Sequence, residues 1–244
     1  MTRIDKHVNK VNGMEKSRQR WEKLWKELGP QTVYDPNHFL FIKNINDLFR
    51  SHFSEKRILE VGVGRGADVI ALSKLGAECV AIDYTHSSIQ LVSCCSKKKE
   101  QIYLAIADAR KLPFRNGIFD LVFSRGLLEH FRDPSNVIRE QIRCLKPGGY
   151  LVVDVPQKLH PYQLLVKMKI LMKKWFAGWE TSYSVSDIKK IAKIYGLSLV
   201  KIYHRSPSKF RANFILGRLS PYTAQNLGGI YKIYTSPQKP SLAK

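Results

Sequence analysis

The sequence predicts an α/β fold built on a doubly wound, mostly parallel sheet with helices on both faces, and three observations carry that expectation. Short apolar runs rich in branched residues alternate with helical patterns from residue 56 to residue 155, the rhythm of crossovers between parallel strands. The run "KRILEVGV" ends in a glycine cluster, Gly62-Val63-Gly64-Arg65-Gly66, that opens directly into a helical pattern. The chain has 244 residues, 44% of them apolar, enough for one substantial core and therefore one domain.

Taken in order, "KSRQRWEKLWKEL" puts Trp21, Leu24, Trp25 and Leu28 on one helical face before Gly29-Pro30 stops it, which makes an N-terminal accessory helix. "FLFIKNINDLF" is a second helix, and together these elements occupy residues 1–54. "KRILEVGV" reads as a buried strand, "ADVIALSKLG" as a helix capped by Gly76, and "AECVAID" as the next strand. "SSIQLVSCCSKKK" is helical, "IYLAIAD" and "FDLVFS" are strands, and "NVIREQIRCL" is a helix. The turn "KPGG" then leads into the strand "YLVVDV", closing a core over residues 55–155. Residues 156–185 interrupt the alternation as an insertion, and residues 186–244 resume it with the helix "SDIKKIAKIYG".

Composition narrows the function classes. No run of 18 apolar residues exists and the opening "MTRIDKHVNK" carries no hydrophobic stretch, so a cytosolic protein without a membrane span is expected. Cys79, Cys94, Cys95 and Cys144 lack paired spacing and nearby histidines, which predicts packed, reduced thiols and no metal site. The net charge of +21 is uneven: residues 1–30 carry +4, residues 31–130 carry +2, and residues 131–244 carry +15. A nearly neutral first half and a strongly basic second half suggest that the second half faces anionic material, whether nucleic acid, phospholipid or a phosphorylated substrate.

A strand that ends in bare backbone at the carboxyl edge of the sheet lets a ligand lie close against it. A dinucleotide uses the wider GxGxxG spacing to seat its pyrophosphate, whereas here the spacing is GxGxG and Glu60 precedes it. A carboxylate there suits a cationic sulfonium with an amino acid end better than it suits pyrophosphate. Asp83 ends the second strand, 17 residues after Gly66, where it can accept from both hydroxyls of a ribose. Asp108 ends the third, where it can accept from an adenine amino group while the Ala109 amide donates to the ring. Backbone around Ser124, Arg125 and Gly126 at the end of the fourth would reach the remaining end of such a ligand.

The motifs "LEVGVGRG", "AIDYT", "ADARKLPFRNGIFDLVFS", "LLEHF" and "LKPGGYLVV" together resemble the class I S-adenosylmethionine-dependent methyltransferases, in particular the small-molecule branch containing ubiquinone and menaquinone biosynthesis enzymes. That resemblance spans residues 55–155 and implies a Rossmann-like, seven-stranded sheet whose last hairpin is antiparallel, supplied by "LSLVKIY" and "GGIYKIYT". It implies S-adenosylmethionine as cofactor, with Glu60, Gly62, Gly64 and Gly66 along its methionine part, Asp83 and Tyr84 at the ribose, Asp108 and Ala109 at the adenine, and Ser124 and Arg125 at the methionine end. Structural pairing or capping is the competing role for Glu60 and for Asp120.

Methyl transfer is a displacement that depends chiefly on alignment, and a general base matters only for an acceptor of high pKa. His130, following Glu129 just past the fourth strand, is the best-placed base; packing, or pairing with Glu129, is its competing role, and His160 and His204 are weaker candidates. The insertion forms the acceptor-side lid after strand 5. Leu164, Leu165, Met168, Leu171, Met172, Trp175 and Phe176 cluster on one broad helical face with Lys167, Lys169, Lys173 and Lys174 at its margins. That pattern suits an anionic headgroup layer or a greasy acceptor, so a small-molecule, lipid-like or lipid-linked acceptor is expected, with O- or C-methylation ahead of N-methylation. Residues 159–176 would then touch the inner face of an anionic membrane peripherally. RNA methylation is the alternative that the basic second half leaves open, although no Asn/Asp-Pro-Pro-Tyr loop or Pro-Cys nucleophile accompanies it, and a nonenzymatic adenosylmethionine binder is another.

Overall fold

In the computed structural model, the structure describes residues 3–29, 38–96, 101–160, 162–205 and 226–232. Two helices lead, α1 (Arg3–Leu28) and α2 (His38–Phe49). The core then alternates β1 (Arg57–Val61), α3 (Ala67–Lys74), β2 (Glu78–Asp83), α4 (His86–Cys95), β3 (Ile102–Ile106), β4 (Phe119–Arg125), a 3₁₀ turn at Leu128–His130, α5 (Ser135–Cys144) and β5 (Leu145–Pro156). α6 (Tyr162–Leu171) lies in the insertion, and α7 (Val185–Tyr195), β6 (Ser198–Arg205) and β7 (Asn226–Lys232) follow. The seven strands form one sheet in the order β3-β2-β1-β4-β5-β7-β6. β1 to β5 pair in parallel, whereas β7 runs antiparallel between β5 and β6, as the expected last hairpin requires.

Strand alternation divides the core into two layers. Ile58, Leu121, Phe123 and Val152 face one side with Phe41, Ile45 and Val69, and so bury α2, α3 and α4. Leu59, Val122, Leu151 and Val153 face the other with Val137, Ile188 and Ile191, and so bury α5 and α7. α7 starts at a capping box in which the Ser184 and Asp187 side chains and backbone exchange hydrogen bonds, and it stops at Gly196 in the left-handed conformation. Of the four free thiols, Cys79 and Cys144 are buried as expected, whereas Cys95 is only partly buried and Cys94 is exposed at the end of α4; among the described residues no group of three or more possible metal ligands occurs.

Three expectations change. The "KPGG" turn is absorbed into β5 as an irregularity, because Phe119 faces Leu145 while Leu121 already faces Tyr150. Gly149 is required there, since a Cβ would sit 2.9 Å from the Lys146 carbonyl oxygen and 3.2 Å from that of Asp120. The insertion helix ends at Leu171, and the chain turns at Lys173, whose φ of 56° breaks the helical path, so Trp175 and Phe176 do not extend its face. α1 is longer than its amphipathic stretch, reaching back to Arg3. Asp120 takes the structural role, accepting from the Arg57 amide at 3.0 Å and from Lys146 Nζ at 2.8 Å.

Candidate active site

The carboxyl ends of β1, β2, β3 and β4 lie along one edge of the sheet, where parallel sheets of this topology place their ligands. The glycine loop is folded by its own backbone: the amides of Gly62 and Val63 both donate to the Ile82 carbonyl, at 2.9 and 3.0 Å. Gly62, Gly64 and Gly66 have φ of 77°, 53° and 75°, a region that penalises any side chain. A Cβ at Gly66 would meet Val92 at 2.7 Å. Asp83 fastens the end of β2 to this loop, because its Oδ2 accepts from the Gly64 amide at 3.2 Å while Oδ1 accepts from the Thr85 amide and hydroxyl at 2.9 and 2.7 Å. A carboxylate offers about four acceptor positions and these three donors take most of them, so about one remains, on Oδ2, for a ribose hydroxyl.

Tyr84 follows at the mouth, and burial pushes its phenol up from the ordinary value. Asp108 is gripped by Arg110, whose Nε lies 2.9 and 3.1 Å from the two carboxylate oxygens and whose Nη2 lies 2.5 Å from Oδ2. Burial works to raise its pKa, but the hydrogen bonds from Arg110 outweigh it and hold the carboxyl below the ordinary range. Ala109 beside it is buried. The end of β3 therefore presents an ionised acceptor already oriented by an arginine.

Glu60 and Arg125 face inward. Glu60 is buried, and its Oε2 accepts from the Val69 amide at 3.1 Å, capping the first turn of α3. Burial first, and the Asp68 charge second, raise its pKa well above the ordinary value. The Arg125 guanidinium pairs with Asp68 and lies 3.8 Å from Asp154, with the Phe41 ring 4.8 Å away. His38 Nδ1 reaches the other Asp68 oxygen at 2.6 Å, and the Tyr203 hydroxyl donates to Asp154 at 3.3 Å. The Arg125 side chain is thus committed to a buried charge network, which leaves the backbone at Ser124 and Arg125 as what β4 can offer a ligand. No spacing rule foretold this network, because its members come from α2, α3, β4, β5 and β6.

On the acceptor side, His130 Nδ1 lies 3.2 Å from the Trp179 carbonyl oxygen. A carbonyl only accepts, so Nδ1 carries the proton and Nε2 is the basic nitrogen. Burial lowers the imidazole pKa below its ordinary value. Its neighbour Glu129 is buried, its Oε2 has no hydrogen-bond partner among the described residues, and burial raises its pKa well above the ordinary value. His160 is buried, and the side chain of His204 lies outside the described residues.

The sequence reading missed the contribution of α1. Glu22 accepts from the His86 and Ser87 amides at 2.7 and 3.1 Å and from the Ser87 hydroxyl, which seats α1 on the start of α4. Trp25 lies against the glycine loop, its Cη2 3.1 Å from where a Cβ at Gly64 would stand. Trp21 meets Trp25 at 5.8 Å between ring centroids, His130 at 4.9 Å and Phe176 at 5.4 Å. The Trp21, Trp25 spacing marks them as one helical face, yet nothing local says which surface that face meets.

Residues 59–153 match a family model described as a methyltransferase domain. The chain is 33% identical over 104 residues to an uncharacterized methyltransferase of Bacillus subtilis, covering 41% of each protein, so it spans about two fifths of that relative's length. It is 27% identical over 212 residues to a ubiquinone biosynthesis O-methyltransferase of Pelagibacter ubique, covering 80% of this chain and 88% of the relative. Among solved structures, magnesium protoporphyrin IX methyltransferase from Synechocystis, determined with bound S-adenosylhomocysteine, superposes with a TM-score of 0.61 at 15% identity over 81% of this chain and 84% of that one; at that identity the likeness is one of fold.

Proposed function

We propose, from the match of residues 59–153 to the methyltransferase domain family, that this chain is an S-adenosylmethionine-dependent methyltransferase acting on a small, lipid-like or lipid-linked acceptor. The observation that carries the donor half is the glycine loop: three alternate glycines of positive φ, joined through the Gly64 amide to Asp83, hold an acid against the loop at the carboxyl end of β1. The donor set fits the cofactor. Gly62, Gly64 and Gly66 shape the loop beside the methionine part and let Leu127, Trp25 and Val92 pack against it, Asp83 and Tyr84 suit the ribose, and Asp108 with Ala109 suits the adenine. Glu60 acts from behind, by fixing the start of α3, and the backbone at Ser124 and Arg125 lines the methionine end.

The cofactor supplies a methyl group on a positively charged sulfur. The chain's own work is to hold the acceptor in line with that group and to exclude water, which the aromatic surface formed by Trp21, Trp25 and Phe176 does. An O–H acceptor must also lose its proton. His130 takes it at Nε2, because Nδ1–H is held by the Trp179 carbonyl and the ring is neutral at neutral pH.

The relative named for ubiquinone biosynthesis supports an acceptor of quinone-precursor type, methylated on oxygen. Peripheral contact with an anionic membrane through residues 159–176 belongs to the same reading, since a lipid-like acceptor resides there; no helix among the described residues is long and apolar enough to cross one. The test is transfer of a tritiated methyl group from S-adenosylmethionine to separated lipid, small-molecule, RNA and protein fractions. Label in the lipid or small-molecule fraction is expected. Label confined to RNA would overturn the acceptor, and failure to bind S-adenosylhomocysteine would overturn the activity.

A further inference from the structure

The insertion presents an apolar surface and one sign of charge. α6 packs inward through Gln163 and Val166, 4% and 1% exposed, whereas Leu164, Leu165, Met168 and Leu171 on its outer side are 66%, 54%, 49% and 85% exposed. Met172 and, past the turn at Lys173, Phe176 follow it in the chain at 52% and 47% exposure. Lys158, Lys167, Lys169, Lys173 and Lys174 surround it, and the sequence has no acidic residue between Lys158 and Trp179. Bulky apolar groups ringed by lysines complement an anionic bilayer surface on both counts.

Phe176 belongs to two structures at once. It is half-exposed in the segment that follows α6, and its ring also stands edge-on to Trp21 at 5.4 Å with an interplanar angle of 84°. Trp21 in turn touches His130 and Trp25, and Trp25 lies on Gly64 of the glycine loop. Arg20 of the same helix packs against Gly178, where a Cβ would come within 2.8 Å of Nη2. α1 is therefore a strap over the donor loop whose far side is fastened by residues 176–178 of the lipid-facing segment.

We infer that an anionic bilayer is an effector of this protein: engagement of residues 158–176 draws Phe176 away from Trp21, loosens α1 over Gly64, and so speeds exchange of the methyl donor and its product. The inference rests on the methyltransferase and membrane-contact reading above and adds regulation of that site. An edge-to-face aromatic contact shifts the fastened-to-loosened equilibrium by about two- to tenfold when it is lost. A ligand shifts such an equilibrium only by what it gains in one state over the other, and the lipid gains the part of Phe176 that packs on Trp21 only in the loosened one.

The experiment uses the full chain loaded with tritiated S-adenosylhomocysteine and chased with excess unlabelled compound, with vesicles of phosphatidylglycerol, vesicles of phosphatidylcholine, or poly(U) RNA. Phosphatidylglycerol vesicles should sediment the protein and accelerate release of label about two- to tenfold. Phe176→Ala should release quickly without vesicles and respond little to them, whereas Leu171→Glu, on the exposed surface but outside the aromatic contacts, should neither sediment nor accelerate. Sedimentation with unchanged release would overturn the coupling and leave membrane contact standing. Absence of sedimentation would overturn membrane contact and the coupling together, as would acceleration by poly(U) with none by vesicles. No retained label at the outset would overturn the donor reading on which all of it rests.

Discussion

Replacing Arg125 with methionine is the sharpest test of how the site is built. Arg125 is the cation between Asp68 and Asp154, and the side chains of these three are 10%, 7% and 0% exposed. Methionine fills much of the same volume and keeps contact with the Phe41 ring, so the change isolates the loss of charge. Removing one partner of a buried ion pair costs about 3 to 5 kcal/mol, because the remaining carboxylates are left in a medium that solvates them poorly. His38 and the Tyr203 hydroxyl still reach Asp68 and Asp154, which places the expectation toward the lower end, about 3 kcal/mol. For a chain of this size each kcal/mol lowers the melting temperature by about 2 to 4 °C, so a drop of roughly 6 to 12 °C is expected in calorimetry. Arg125→Met combined with Asp68→Asn and Asp154→Asn should recover most of the loss. A drop of under 2 °C, or no recovery in the triple variant, would refute the claim that this arginine is a buried counter-ion.

Three further outcomes follow from the geometry. Gly66→Ala should cost about 2 to 5 kcal/mol in urea denaturation, from the left-handed backbone and the collision with Val92, and should abolish S-adenosylhomocysteine binding at temperatures where the protein stays folded; a neutral result would remove the steric reading of the loop. Burial raises the Glu129 pKa, so the folded chain keeps a proton that the unfolded chain loses above about pH 4.3, and stability falls as pH rises from there; Glu129→Gln should flatten that slope, and parallel stability curves for the two proteins would contradict it. If His130 is the base, turnover should rise with pH to a plateau whose midpoint lies below 6.5, and His130→Ala should lower it by about 10² to 10⁴ with donor affinity intact; a loss of less than about fivefold would reassign the residue to packing.

What could be read in the sequence was whatever is local and periodic. The glycine loop, Asp83 and Asp108 sit at strand ends that hydrophobic runs define, so their convergence at one edge follows from parallel topology alone. The direction of the Arg125 side chain was not legible, since Asp68 and Asp154 are brought to it by tertiary packing and by no fixed spacing. The insertion helix was drawn too long because Met172, Trp175 and Phe176 continue the apolar periodicity, whereas the backbone turns at Lys173, which carries no glycine or proline to announce it. Trp21 and Trp25 announced an apolar face but not the glycine loop beneath it.

The position of β7 has a consequence for how the polypeptide reaches this state. β6 precedes β7 in the chain, yet β7 lies between β5 and β6 and bonds to both, with Ile230 and Tyr231 fully buried. A nascent chain that has emerged only as far as residue 205 holds β6 without a neighbour and leaves the Leu151–Val155 edge of β5 unpaired. That edge, Leu-Val-Val-Asp-Val, is apolar, and a second nascent chain could pair with it as readily as residues 226–232 do. During synthesis, then, the sheet stays open at its most aggregation-prone edge until the seventh strand arrives.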